Sequence, residues 1–177
     1  MSIKASAITL LVPDFKQKHY ALNFIDTPGH PNFIGEFVAA LRISDGVILV
    51  VDAIEGVMMT TEKIIKHIVR EDLDVVVVVN KIDRLIIEMK IPPEDAYLKI
   101  KHTLEEINGL FSKNAAQIGV TNKYLISPVL NNVVFASAEY SFMFSVNSMV
   151  ERYVKRFPSF DYQTFKKVLW GDYYFNK

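Results

Sequence analysis

The chain has 177 residues and a mass of 20.2 kDa, with 20 basic residues against 20 acidic ones and half its positions apolar. That is one domain's worth of chain with material for a real core, and the balanced charge supplies no overall basic field of the kind that favours nucleic acid. The absence of cysteine excludes a disulfide framework and a zinc–thiolate site and agrees with a reducing compartment, and Met1-Ser2-Ile3-Lys4 does not begin a signal peptide.

In chain order, the stretches 7–12 and 19–25 flank Pro13-Asp-Phe-Lys-Gln-Lys18 and suit an antiparallel hairpin with a loose loop. Residues 33–41 read as helix, and 46–52 as a continuous apolar run of strand length. Over 60–72, Ile64, Ile65, Ile68 and Val69 share one helical face while Glu62, Lys63, Lys66 and Arg70 fall mostly on the other. A five-valine run at 75–79 predicts the next strand and leads into Asn80-Lys-Ile-Asp83. Pro92-Pro93 suits a helix start, and Ala96, Ile100, Leu104, Ile107 and Phe111 trace an apolar stripe along a long helix. Residues 114–127 read as loop, 133–136 as a last short strand, about 139–157 as helix and 162–169 as one more helix. The longest apolar runs, 47–51 and 75–79, are far too short to cross a bilayer, so a soluble chain is expected.

Alternation of helices with fully apolar strands predicts an α/β fold with a mostly parallel sheet buried on both faces. Ligands of such sheets sit at the carboxyl ends of the strands. Asp26-Thr-Pro-Gly-His30, Asp52 and Asn80-Lys-Ile-Asp83 all fall there.

The last of these carries the most discriminating chemistry. A carboxylate facing the Watson–Crick edge of guanine accepts both the ring N–H and the exocyclic amine, a pair adenine does not offer, so a site built on Asp83 rejects adenine by leaving a buried carboxylate unpaired. Lys81 then lies along the base plane and Asn80 ties the loop to its neighbours; an N-capping Asp in a plain polar turn is the competing reading. In Asp26-Thr27-Pro28-Gly29-His30, Asp26 is placed to hold Mg²⁺ through water, the Gly29 N–H to meet a γ-phosphate, and His30 to orient an attacking water; a tight turn with Pro and Gly chosen for their dihedrals is the alternative. Ser137 and Ala138, after the last short strand, offer a hydroxyl and a backbone N–H on the other side of the base. Ser2 is a further candidate Mg²⁺ ligand, with a plain polar terminal residue as the competing reading, and His19, His67 and His102 lack the carboxylate or cysteine spacing of a metal site and read as surface or helix-face residues.

Together these residues resemble the G domain of translational GTPases. Asp26-Thr-Pro-Gly-His30 is similar to the family's switch II motif, Asn80-Lys-Ile-Asp83 to its guanine-specificity motif and Ala136-Ser137-Ala138 to its last base-side loop. Leu169-Trp-Gly-Asp172 is similar to a stretch that ribosomal translocases of the elongation factor 2 type and their spliceosomal relatives share, whereas Asn32, Leu41-Arg-Ile-Ser-Asp-Gly-Val47, Glu55-Gly-Val-Met58, Lys81-Ile-Asp-Arg-Leu-Ile86 and Ser137-Ala-Glu-Tyr-Ser-Phe142 resemble the elongation factor 2-like GTPases of the spliceosomal U5 particle more than the ribosomal translocases; Pro31, where both usually carry Val, is a departure. The resemblance implies a three-layer P-loop GTPase fold, binding of GTP or GDP with Mg²⁺, a role in pre-mRNA splicing, a nuclear location, U5 partners that include a large scaffold and a helicase, contact with RNA only through the particle, and no membrane. A cytoplasmic ribosomal translocase fragment and a nucleotide-free interaction module are the alternatives.

The motif Gly-x-x-x-x-Gly-Lys-[Ser/Thr] does not occur in these residues. The family carries it upstream of the segment that begins at Ser2, so the chain is expected to be a fragment cut at both ends, with a partial G domain over 1–157 and, over 158–177, a closing helix and the start of a further segment. Without that loop the chain itself is expected to bind nucleotide poorly. In the family the missing strand lies between the strands ending at Asp26 and Asp52. Three outcomes are expected for the gap: the two strands close up, another chain supplies a strand, or the chain self-associates through its bare edges.

Overall fold

A computed structural model describes residues 2–14, 18–119, 123–157 and 161–171. Strands β1 (Ser6–Pro13) and β2 (His19–Asp26) form an antiparallel hairpin in full register from Ser6 opposite Asp26 to Pro13 opposite His19. A 3₁₀ turn at Pro31–Phe33 leads into α1 (Ile34–Leu41), followed by β3 (Gly46–Asp52), α2 (Met59–Arg70), β4 (Asp74–Asn80), α3 (Ile82–Ile87) and the long α4 (Pro93–Gln117). After a 3₁₀ turn at Pro128–Leu130 come β5 (Val133–Ser137), β6 (Phe142–Phe144), α5 (Val146–Arg156) and α6 (Tyr162–Leu169).

The four-stranded sheet runs β3-β4-β5-β6, parallel across the first three and antiparallel at β6. This is the mostly parallel α/β sheet that the alternation of elements predicts. Its register aligns Leu49 with Val77, Val51 with Val79, Val77 with Val133 and Val79 with Phe135, so these six side chains share one face. All are buried in a single core with Ile65 and Ile68 of α2 and Leu104, Ile107 and Phe111 of α4. The stripes read from the sequence are what α2 and α4 bury, each fully enclosed Ile or Phe contributing about 1.5–3 kcal/mol of transfer free energy. Local signals start the helices where expected: Pro93 opens α4 with Glu94 and Asp95 in its first turn, and Asp161 caps α6 by accepting from the Thr164 N–H at 2.8 Å. Helix α6 packs on α5 through Tyr153 and Phe165, and Trp170 lies against Phe135 of β5 and Tyr97 of α4.

Four expectations need correction. Burial on both faces fails at β3 and β4: Ile48 and Val50 of β3 are 53% and 59% exposed and Val76 of β4 37%, because among the described residues no element covers the face opposite the core there. The stretch 114–127 is not all loop. α4 continues to Gln117, with Asn114 buried and donating to the Leu110 carbonyl at 2.8 Å; satisfied in this way, an Asn is tolerated inside a helix. The strand at 133–137 is not the last, since Phe142–Phe144 adds β6, and helix begins only at Val146, where Ser145 and Ser148 form a reciprocal cap. Finally, the strands flanking the gap do not close up: β2 pairs with β1 and β3 with β4, in two separate sheets.

The hairpin therefore keeps an open face. Ile8 opposite Phe24, Leu10 opposite Leu22 and Val12 opposite Tyr20 make three apolar cross-strand pairs, and all six side chains are exposed, Ile8 by 61% and Phe24 by 39%. Thr9 and Asn23, paired on the other face, hydrogen-bond to each other at 2.7 Å.

Candidate functional site

The turn after β4 is built around Asn80. Its Oδ1 accepts from the Lys81 N–H at 2.8 Å and from the Ala138 N–H at 3.1 Å, and its carbonyl accepts from the Ala53 N–H at 2.9 Å. One residue thus joins its own loop to the segments leaving β3 and β5. Lys81 adopts a left-handed backbone, φ 63° and ψ 33°, a conformation that costs a non-glycine residue about 1–2 kcal/mol and persists where the surroundings hold it. It delivers the chain into α3, whose first turn carries Asp83.

Asp83 is buried, and its Oδ1 is shielded from solvent with no hydrogen-bond partner in the chain. An orphaned carboxylate oxygen is costly unless a partner arrives. Asp83, Asn80, Lys81 and Ala138 line one cavity of about 480 Å³, within the range of small-molecule sites. Ser137 sits behind it, 1% exposed, its Oγ accepting from the Tyr140 N–H at 3.2 Å. Sequence reasoning missed the rest of the wall, contributed by Arg84, Ile87, Glu88, Glu139 and Tyr140, which lie on α3, at its C-terminal cap and in the β5–β6 turn.

It also left Asp52 without a role. In the parallel register Asp52 stands beside Asn80. Its Oδ1 accepts from the N–H groups of Ile54 at 2.7 Å and Glu55 at 3.3 Å, fixing the turn that leaves β3. Its Oδ2 lies 2.8 Å from Lys81 Nζ and 3.7 Å from Arg84. Burial pushes the Asp52 carboxyl up, but the Lys81 hydrogen bond and the two backbone N–H groups outweigh it and hold the group below the ordinary carboxylate value. The signal for it was the strand register, which no sequence pattern prints.

The second predicted cluster stands apart from the first. Asp26 is exposed at the end of β2, Thr27 is half-buried and Pro28 buried. Gly29 has open space where a side chain would sit and no left-handed φ, so neither packing nor conformation within the chain demands glycine there. His30 Nδ1 accepts from the Asn32 N–H at 3.2 Å, capping the 3₁₀ turn, which leaves Nε2 as the protonated nitrogen of the neutral ring. Pro28, Gly29 and His30 border a hollow of about 20 Å³ against α2, room for about one water. Ser2 is exposed ahead of β1, and the residue registered opposite Asp26 is Ser6. Among the described residues no group of three or more His, Cys, Asp or Glu side chains is placed to hold a metal, and no helix is long and apolar enough to cross a membrane.

Residues 1–159 match the elongation factor Tu GTP binding domain. The chain belongs to this family. Three curated proteins similar to the domain are a pre-mRNA-splicing factor, cwf10, of Schizosaccharomyces pombe, 48% identical over 176 residues; the 110 kDa U5 small nuclear ribonucleoprotein component CLO of Arabidopsis thaliana, 45% identical over 177; and the pre-mRNA-splicing factor SNU114 of Saccharomyces cerevisiae, 38% identical over 178. Each alignment takes in 99–100% of the chain but only 17–18% of the relative. The GTP-binding domain described here therefore spans less than a fifth of the length of these relatives.

Proposed function

We propose that this chain is part of the GTP-binding domain of an elongation factor 2-like GTPase of the U5 particle, acting in pre-mRNA splicing in the nucleus. The observation that carries the nucleotide reading is the buried, unpartnered Asp83 oxygen on the cavity beside the Asn80–Lys81 turn. Asp83 accepts from the guanine edge, the Lys81 stem lies along the base, and Asn80 holds both. Ser137 and Ala138 shape the base-side loop, Ser137 through the Tyr140 N–H and Ala138 through Asn80.

On the phosphate side Asp26, with Ser2, is placed to hold Mg²⁺ through water, and Mg²⁺ when bound offsets the negative charge of the β- and γ-phosphates. An unhindered Gly29 leaves its N–H open to a γ-phosphate, and His30, with Nε2–H free to donate, orients a water. The catalytic role belongs to His30. Lacking the phosphate loop, the chain on its own binds GTP and GDP weakly, while the full-length protein binds and hydrolyses GTP. Residues 1–157 are assigned to the partial domain and α6 (Tyr162–Leu169) to its closing helix, while 158–160 and 172–177 lie outside the described residues. The partners are U5 proteins, a large scaffold and a helicase, with RNA reached through the particle and no membrane contact.

Titration with fluorescent GDP and GTP in Mg²⁺, beside the same chain extended upstream to include a phosphate loop, tests this. Guanine-selective binding by the extended chain alone is the expected result; tight GTP binding by the 177-residue chain would overturn the placement of the phosphate site.

A second reading, a nucleotide-free interaction module, draws on the exposed apolar face of the hairpin. Contiguous apolar surface of this kind marks contact sites, and the bare β3 edge favours pairing with another chain or self-association. Failure of the extended chain to bind any nucleotide would favour it.

A further inference from the structure

We infer that Asp52 is a positioning residue for the base pocket: by holding Lys81 Nζ, it fixes the Lys81 stem as a wall of the cavity that Asp83 lines. The inference rests on the guanine reading of that cavity.

Three observations carry it. The Asp52 carboxylate is itself immobilised, one oxygen by the Ile54 and Glu55 N–H groups and the whole side chain by its place in the strand register beside Asn80. Its other oxygen is shielded from solvent and forms an ion pair with the Lys81 ammonium at 2.8 Å. Lys81 needs such an anchor, because its side chain is half exposed and a free lysine samples many rotamers, whose loss on ligand binding weakens affinity.

The two ends of Lys81 are then held separately: Asn80 fixes the backbone N–H and Asp52 the ammonium. Between them the four-carbon stem is ordered before any base arrives. Arg84, 3.7 Å from the same Asp52 oxygen, gives its Nε to Glu88 at 2.8 Å, so it completes the charge cluster without displacing Lys81.

Asp52→Asn separates this role from turn capping, since Asn retains an oxygen for the Ile54 and Glu55 N–H groups while the atom facing Lys81 becomes an uncharged N–H donor that cannot hold the ammonium. The probe is GMP, with AMP as control, titrated at millimolar concentration into the isotope-labelled 177-residue chain and followed through the amides of Lys81, Asp83 and Ala138 by NMR. GMP contacts the base site without needing a phosphate loop.

Asp52→Asn is expected to bind GMP about fivefold more weakly, the scale of one partly exposed ion pair, Asp52→Glu to recover part of that loss, and Asp52→Asn to have no effect in a Lys81→Met background. Unchanged GMP affinity in Asp52→Asn, or an equal loss with and without Lys81, would overturn the inference and leave the guanine site standing. Asp83→Ala separates the two ideas: retained GMP preference in that variant, or no preference for GMP over AMP in the unaltered chain, sinks the base-site reading and this inference with it.

Discussion

The two halves of the molecule obey the same residue preferences and reach opposite ends. In the β3–β6 sheet, the valines of one face, with Leu49 and Phe135, vanish into a core closed by α2 and α4. In the β1–β2 hairpin an equally apolar face, with three cross-strand pairs in perfect register, remains exposed. Apolar patterning specifies that a face seeks cover; only the rest of the fold decides whether cover is there. The functional residues divide along the same line: the base-side group converges on one cavity, whereas Asp26 to His30 sit at the end of the open hairpin.

That contrast breaks most sharply through substitution. Ile68→Ala on the covered side removes a side chain with no exposure and is expected to cost about 2–5 kcal/mol in a urea unfolding experiment; a loss below about 1 kcal/mol would mean the α2 face is not the core.

A smaller effect tests the edge of that core. Tyr124 stacks on Phe111 at 5.1 Å and donates to Asp72 at 3.4 Å. Burial first, and then the Asp72 charge, push its phenol up to about 12 from the ordinary 10.0. The raised value means that the neutral ring is favoured in the folded state, so its contribution is complete below pH 10 and fades as pH rises through about 12. Thermal midpoints should fall across that window and fall less in Tyr124→Phe; parallel pH curves for the two proteins would contradict the assignment.

The smallest effect belongs to the hairpin. Leu22→Ala is expected to change monomer stability by less than about 0.5 kcal/mol, while Leu10→Lys lowers any concentration-dependent association seen by sedimentation. A hairpin substitution as damaging as Ile68→Ala would show that the face is covered after all.

Much of the covered half is legible in the sequence because its signals are local and redundant. The α2 and α4 stripes, the five valines and the polar strand ends each point to the same element. Strand β6 was hidden because Phe142-Met-Phe144 lies in a stretch that also suits helix, and only pairing with β5 decides between them. The bare face of β3 was hidden for a different reason: Ile48 and Val50 look the same in sequence whether or not something packs on them. Of the candidate site, Asn80, Lys81 and Asp83 were readable as a motif, but Asp52 acquires meaning only once the register sets it beside Asn80. Arg84 and Tyr140 needed the cavity itself to be noticed.

The arrangement at Asn80 also bears on how the cavity opens. A single side-chain oxygen receives amides from two loops that are 58 residues apart, and the carbonyl of the same residue receives a third from the exit of β3. Each loop also has a tie of its own, the Lys81 ammonium to Asp52 at 2.8 Å and the Tyr140 N–H to Ser137 Oγ at 3.2 Å. Loosening the Asn80 side chain nevertheless frees the Lys81 and Ala138 amides together, so the two walls of the base pocket share one fastening through which movement of either loop reaches the other.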